Sequence, residues 1–137
     1  MNLLNYLEEY SNVTLREVAF NEIDALALAD FSYVDFTELG IDKERINGEL
    51  LAEYIDKYQP KPTDSARKLN YLKVAKLIAT STRFARAEFA HFRKITDLDN
   101  DKQFQAVTIM FRDVMYMSFC GTDSSTVGWK EDFNMAV

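Results

Sequence analysis

Residues Phe104–Phe111 (FQAVTIMF) and Val114–Phe119 (VMYMSF) are two runs of aromatic, β-branched and other apolar residues, separated only by Arg112 and Asp113. Such side chains favour extended backbone because they pack well on a pleated surface. Two such runs with so short a polar break read as a tight antiparallel hairpin. The apolar residues fall on both sides of each predicted strand. The hairpin is therefore expected to be covered on both faces, as in the sheet of a layered α/β protein. A third strand somewhere in Ala87–Ile95 would still leave a very small sheet, with an open edge and few partners for its two faces.

The first two thirds of the chain read as helices. Asn2–Tyr10 places Leu3, Leu4 and Leu7 on one side of a short amphipathic helix. Thr14–Phe20 reads as extended chain or a turn. Asn21, with Asp24 three residues on, marks a helix start. The helix that follows runs through about Ser32 and is apolar over most of its surface (Ile23, Leu26, Ala27, Leu28, Phe31), so it is expected to be well buried. Thr37–Asn47 reads as a loop containing Gly40. Leu50, Leu51, Tyr54, Ile55 and Tyr58 have helical spacing over Gly48–Tyr58, and Pro60 and Pro62 end that helix. Another opens near Thr63 or Asp64 and reaches about Thr80, with Tyr71, Val74, Ala75 and Ile78 inward. The reading is one domain over 1–137, mainly helical in 1–83 and strand-bearing in 84–137.

Ten Phe and seven Tyr within a 47% hydrophobic composition argue against disorder. A net charge of −6 repels phosphate, so no nucleic-acid partner is expected. The densest basic run, Arg83, Arg86, Arg93 and Lys94, is interrupted by Glu88 and reads as a solvated face. The single cysteine, Cys120, excludes an internal disulfide and a cysteine-based zinc cluster. No stretch has the basic start and apolar run of a signal peptide, or the ~20 apolar residues of a membrane span. A cytoplasmic location without a stable membrane span is the expectation.

Few residues are placed for chemistry. The one histidine, His91, lies between aromatic residues and reads as a partly buried strand or loop histidine with one hydrogen bond. Cys120 follows a buried strand and has no base or cation near it in sequence, which favours packing over reactivity. Asp97, Asp99 and Asp101 alternate like the start of a calcium loop, but Lys102 and Thr108 stand where Gly and Glu are needed. Asp24, Asp30, Asp35 and Glu38 have no spacing that sets a carboxylate pair across a cleft, and read as surface and capping residues. There is no G-x-S-x-G, P-loop or dinucleotide-binding glycine pattern. No cofactor and no metal site is expected.

The stretch YMSFCGTDSSTVGWKEDF, Tyr116 to Phe133, has more structure in it. A strand is expected to end at Phe119, and Gly121 lets the backbone turn sharply. Thr122 then offers an N–H and a hydroxyl at the strand's C-terminal end, where layered α/β folds bind ligands. Trp129 and Asp132 follow one helical turn apart. The plain alternative is a strand–loop–helix junction capped by Ser124, Ser125 or Thr126.

Phe119, Gly121, Thr122, Trp129 and Asp132 resemble the oxyanion loop of class 3, or fungal-type, lipases. Together with MNLLNYLEEY and FNEIDALALADFSYVDF, they make the chain similar to the N-terminal portion of a bacterial family of lipase-like α/β-hydrolases. The resemblance implies a truncated α/β-hydrolase fold, several helices followed by a β-hairpin of the central sheet. It implies that Thr122 is the oxyanion residue, worth ~3–4 kcal/mol of barrier, that Asp132 orients it and that Trp129 supports the loop. Cys120 stands where that family usually has Arg, which would have pinned the loop. The family's nucleophilic Ser, acid and His follow this loop, so His91, which precedes it, is not the triad histidine.

Two functions are therefore expected. The first is an N-terminal fragment of a serine ester hydrolase, inactive alone, whose intact form acts on a lipid or small ester. The second is a small non-catalytic binding or regulatory module whose open sheet edge is covered by a partner or by self-association.

Overall fold

The computed structural model describes residues 2–97, 99, 102–111 and 114–123, with Lys102, Thr122 and Asp123 described in their backbone alone. Four helices and a four-stranded antiparallel sheet make up these residues: α1 (Leu3–Tyr10), α2 (Glu22–Phe31), β1 (Arg45–Asn47), α3 (Gly48–Lys57), α4 (Ala66–Thr80), β2 (Glu88–Asp97), β3 (Lys102–Phe111) and β4 (Val114–Asp123). The fold is thus a mixed α/β arrangement.

The helices begin where side chains can satisfy their first amides. Asn2 accepts from Asn5 N at 2.8 Å. Asn21 accepts from the amides of Ile23 and Asp24, and the Asp24 carboxylate accepts the Asn21 amide at 3.0 Å, closing a capping box. α4 starts at Ala66, two or three residues later than the Thr63 or Asp64 its sequence suggests. Ser65 is its cap, at 3.0 Å from Lys68 N, whereas the Asp64 carboxylate turns back to Lys61 N at 2.8 Å.

The sheet runs in the order β1-β2-β3-β4. The expected hairpin is present as β3–β4, closed by the pair Phe111↔Val114, and the expected third strand is β2. Two features lie outside the sequence reading. The end of the presumed loop forms β1, pairing Ile46 with Phe89. β4 also continues past Phe119, with Gly121 opposite Phe104 and Thr122 opposite Gln103 in an unbroken ladder.

One face of the sheet carries the core. Ile46, Phe89, Val107, Ile109 and Phe111 meet Phe31, Leu51, Val74 and Ile78 from the helices. Phe31 packs on Phe89 at 5.0 Å and edge-on to Phe36 at 5.9 Å. α3 and α4 approach closely at Gly48, where a Cβ would lie 2.3 Å from the Ala79 carbonyl oxygen. The opposite face was expected to be covered as well. On its β1–β2 side Arg45 pairs with Glu88 at 3.2 Å and reaches Met110, while Ile95 is exposed. Its β4 half is open, with Met115, Met117 and Phe119 exposed.

A second difference concerns charge. The sequence reads Asp24 as a surface or capping residue and Arg83 as part of a solvated face; Asp24 does cap α2, but both are buried, with side chains 0% and 1% exposed. Arg83 Nε donates to Asp24 Oδ1 at 2.8 Å and Nη2 to Oδ2 at 2.6 Å. The same guanidinium donates to the carbonyls of Val18 at 2.9 Å, Ala19 at 3.1 Å and Val13 at 3.2 Å. It thereby fixes the segment before α2, and the Asp24 partner raises its pKa against the opposing effect of burial.

Candidate functional site

The best candidate is the edge formed by β4 and α2. β4 is ten residues long, pairs on one side only among the described residues, and carries no charge between Val114 and Thr122. Alternate side chains point to opposite faces. Tyr116, Ser118 and Cys120 face the helices, while Met115 and Met117, each 68% exposed, and Phe119, 40% exposed, stand in a row on the outer face. Phe104 and Ile95 extend this apolar row across the sheet, with Phe104 and Phe119 ring centroids 6.0 Å apart.

α2 lies against the inner side of this strand. Ser118 Oγ donates to the Leu28 carbonyl, Gln105 Nε2 to the Ser32 carbonyl at 2.8 Å, and Cys120 Sγ to the same carbonyl at 3.4 Å. These donors satisfy carbonyls at the C-terminal end of α2, which have no partner within the helix. Asp24, Ala27, Leu28 and Phe31 turn inward. The outer side of α2 is apolar nonetheless. Ile23 is 42% and Leu26 55% exposed, Ala25 and Ala29 are exposed beside them, and Glu22 and the half-buried Asp30 are the charged residues on that side. A helix apolar all round was expected to be buried, and here one side of it is not.

A cleft of about 210 Å³ opens beyond the C-terminal end of α2. Tyr33 and Tyr71 stack along it at 4.6 Å. The Tyr58 hydroxyl lies 2.5 Å from Asp64 and 3.1 Å from Glu38, Lys68 joins those two carboxylates, and Lys94 pairs with Asp35 at 2.7 Å. The hydrogen bond from Lys68, with those from Tyr58 and the Lys61 amide, holds the Asp64 carboxyl well below the usual carboxylate range. Burial works against the charge on Lys68, but its bonds to Asp64, Glu38 and Tyr58 outweigh it and raise the ammonium. Asp64 raises the Tyr58 phenol, and burial raises Tyr33, Tyr71 and the Cys120 thiol. Each of these shifts moves its group further from neutrality. These described groups form a set of fixed donors and acceptors along the cleft.

Of the sequence-predicted site residues, only Thr122 falls within the described residues. Thr122 is described in its backbone, which is a rung of β4 rather than the start of a loop. Trp129, Asp132 and the proposed caps Ser124, Ser125 and Thr126 lie outside the described residues, as do Asp101 and the Arg112–Asp113 connection. His91 sits at a β-bulge with φ 55°, where its amide donates to the Glu44 carbonyl and its Nδ1 lies 2.9 Å from the Glu44 carboxylate. Arg93 donates to that carboxylate at 2.7 Å and, with His91, keeps it below its ordinary range. No three His, Cys, Asp or Glu side chains converge to hold a metal ion among the described residues. No described helix is long and apolar enough to cross a membrane.

Residues 78–137 match a family model described as Mbeg1-like. This span runs from the end of α4 through the hairpin and includes Phe119, Gly121, Thr122, Trp129 and Asp132. No curated protein and no solved structure matches the chain. The family match corrects the lipase resemblance, because the residues that suggested lipases fall within a match to a family of another name. The roles drawn for Thr122, Asp132 and Trp129 rested on that resemblance.

Sequence reasoning expected an open sheet edge but missed its placement at β4 and α2. Its signal was nevertheless present in the uncharged run Val114–Thr122 and in an α2 whose apolar residues exceed what one helix face can hold.

Proposed function

We propose that the chain is a non-catalytic interaction module that presents the β4–α2 edge to a protein partner. The observation that carries this reading is the row Met115, Met117 and Phe119 on an uncharged edge strand. Proteins that keep an edge free blunt it with lysine, proline, a bulge or a covering segment. Among the described residues, β4 has none of these between Val114 and Thr122. An open strand edge with an apolar face accepts another strand, backbone bonds supplying affinity and alternate side chains specificity. The α/β-hydrolase architecture and the ester-hydrolase activity rest on the lipase resemblance alone and do not enter this reading.

The test is the state of the protein as its own cells make it. Native mass measurement should find the chain in an assembly, and Met117→Lys together with Leu26→Glu should release it. A natively isolated chain that is monomeric, with the amides of Met115, Met117 and Phe119 exchanging at unprotected rates, refutes the proposal.

A further inference from the structure

The partner of this edge can be specified from its geometry. The inference rests on the reading of β4–α2 as an interaction surface. At a two-residue hairpin connection the flanking residues form a pair that exchanges both backbone bonds, and such pairs recur at every second position. Phe111 and Val114 are the flanking residues here. Val114, Tyr116, Ser118 and Cys120 therefore direct their N–H and C=O groups to β3. The corresponding groups of Met115, Met117, Phe119 and Gly121 point to the free edge. Among the described residues, the backbone groups of Met115, Met117 and Phe119 thus lack a partner strand, and the side chains of these same residues form the exposed apolar row.

We propose that the occupant is a second copy of this chain, joined by antiparallel β4–β4 pairing about a two-fold axis at Met117. Met117 then stands opposite the partner's Met117, and Met115 opposite the partner's Phe119. Three observations favour a second copy over a bare peptide strand. Every position of the row is apolar, so a two-fold at Met117 sets apolar side chains opposite one another throughout. The strand has no charge between Val114 and Thr122, so two copies meet without like charges opposed. The uncovered apolar surface also occupies two layers, with Ile23 and Leu26 exposed on the helix that packs on β4. A lone strand covers only the sheet layer. A copy related by a two-fold perpendicular to the sheet brings its own α2 to the same side, so both layers gain a counterpart.

The experiment uses the full 137-residue chain, purified alone. Sedimentation across a concentration series should show a dimer of the 15.9 kDa chain. Met117→Lys should shift it to monomer with unchanged circular dichroism, because the replaced side chain is exposed. In the Met117→Cys variant a short bismaleimide should link two copies, the paired Cα atoms being ~5.5 Å apart. Ile95→Cys, on the same face but on β2, should stay unlinked, as should the unsubstituted chain, whose Cys120 is buried. A chain that sediments as monomer throughout, a dimer indifferent to Met117→Lys, or equal linking at positions 95 and 117 overturns the proposal. A purified chain that is monomeric, while the native assembly is still released by Met117→Lys, would remove the second copy and leave the interaction surface standing.

Discussion

Replacing Arg83 by Met should be among the most damaging single substitutions in this chain. The guanidinium is 1% exposed and holds the fully buried Asp24 through two hydrogen bonds of 2.6 and 2.8 Å. Without it, Asp24 retains the Asn21 amide at 3.0 Å and a long contact from the Tyr6 hydroxyl at 3.3 Å. That leaves a buried carboxylate without a counter-charge, and removing one partner of a buried ion pair costs ~3–5 kcal/mol. The carbonyls of Val13, Val18 and Ala19 lose a donor as well. Water can reach part of that segment, so their contribution is smaller than the ~1–3 kcal/mol of a fully buried orphan. The expected loss is about 4 kcal/mol, a large fraction of the ~5–15 kcal/mol that holds a typical domain together.

Urea unfolding with an unchanged m-value is the assay. Asp24→Leu combined with Arg83→Met should cost less than the sum of the two single changes by ~2 kcal/mol, because the second substitution removes the stranded charge. The double variant should remain below the parent, since the three carbonyls and the Asn21 capping box are still unserved. Arg83→Lys should recover only part of the loss, because one ammonium cannot span acceptors arranged for a planar fork. An Arg83→Met variant that loses less than ~1 kcal/mol would refute the argument.

Other expectations concern single sites. Gly48→Ala should destabilise by ~1–3 kcal/mol in the same urea assay, because its methyl meets the Ala79 carbonyl at 2.3 Å and backbone cannot yield as a side-chain tip can. The Asp64 pKa is depressed by Lys68, so the stability it contributes is present above its ordinary 3.8 and is lost as pH falls through and below that value. Lys68→Met should flatten that acid limb of the stability–pH curve, and a limb as steep as the parent's would contradict the assignment. Cys120 is buried with a raised thiol pKa, so its reaction with a thiol reagent should track unfolding, and rapid labelling of the folded chain would contradict its placement.

Local signals were legible without a structure. The Asn21–Asp24 capping box, the helical spacing over Gly48–Tyr58 and the β3–β4 hairpin each depend on residues close in the chain, where side-chain type and backbone preference act on one another directly. The sequence also carried the long uncharged run that becomes β4. It could not say that Asp24 finds Arg83, 59 positions away, because a charged residue reads as solvated until its partner is known. One clue existed, since Asp24 shares a helix face with Ala27, Leu28 and Phe31 and so pointed into a core. β1 was invisible because three residues of strand are held by their register with β2 rather than by their own composition. Above all, apolar residues on both sides of a strand predict cover without naming what supplies it. Only the tertiary structure decided that the helices cover one face and that Met115, Met117 and Phe119 stand open on the other, since burial belongs to the packing of the whole chain and no single segment contains it.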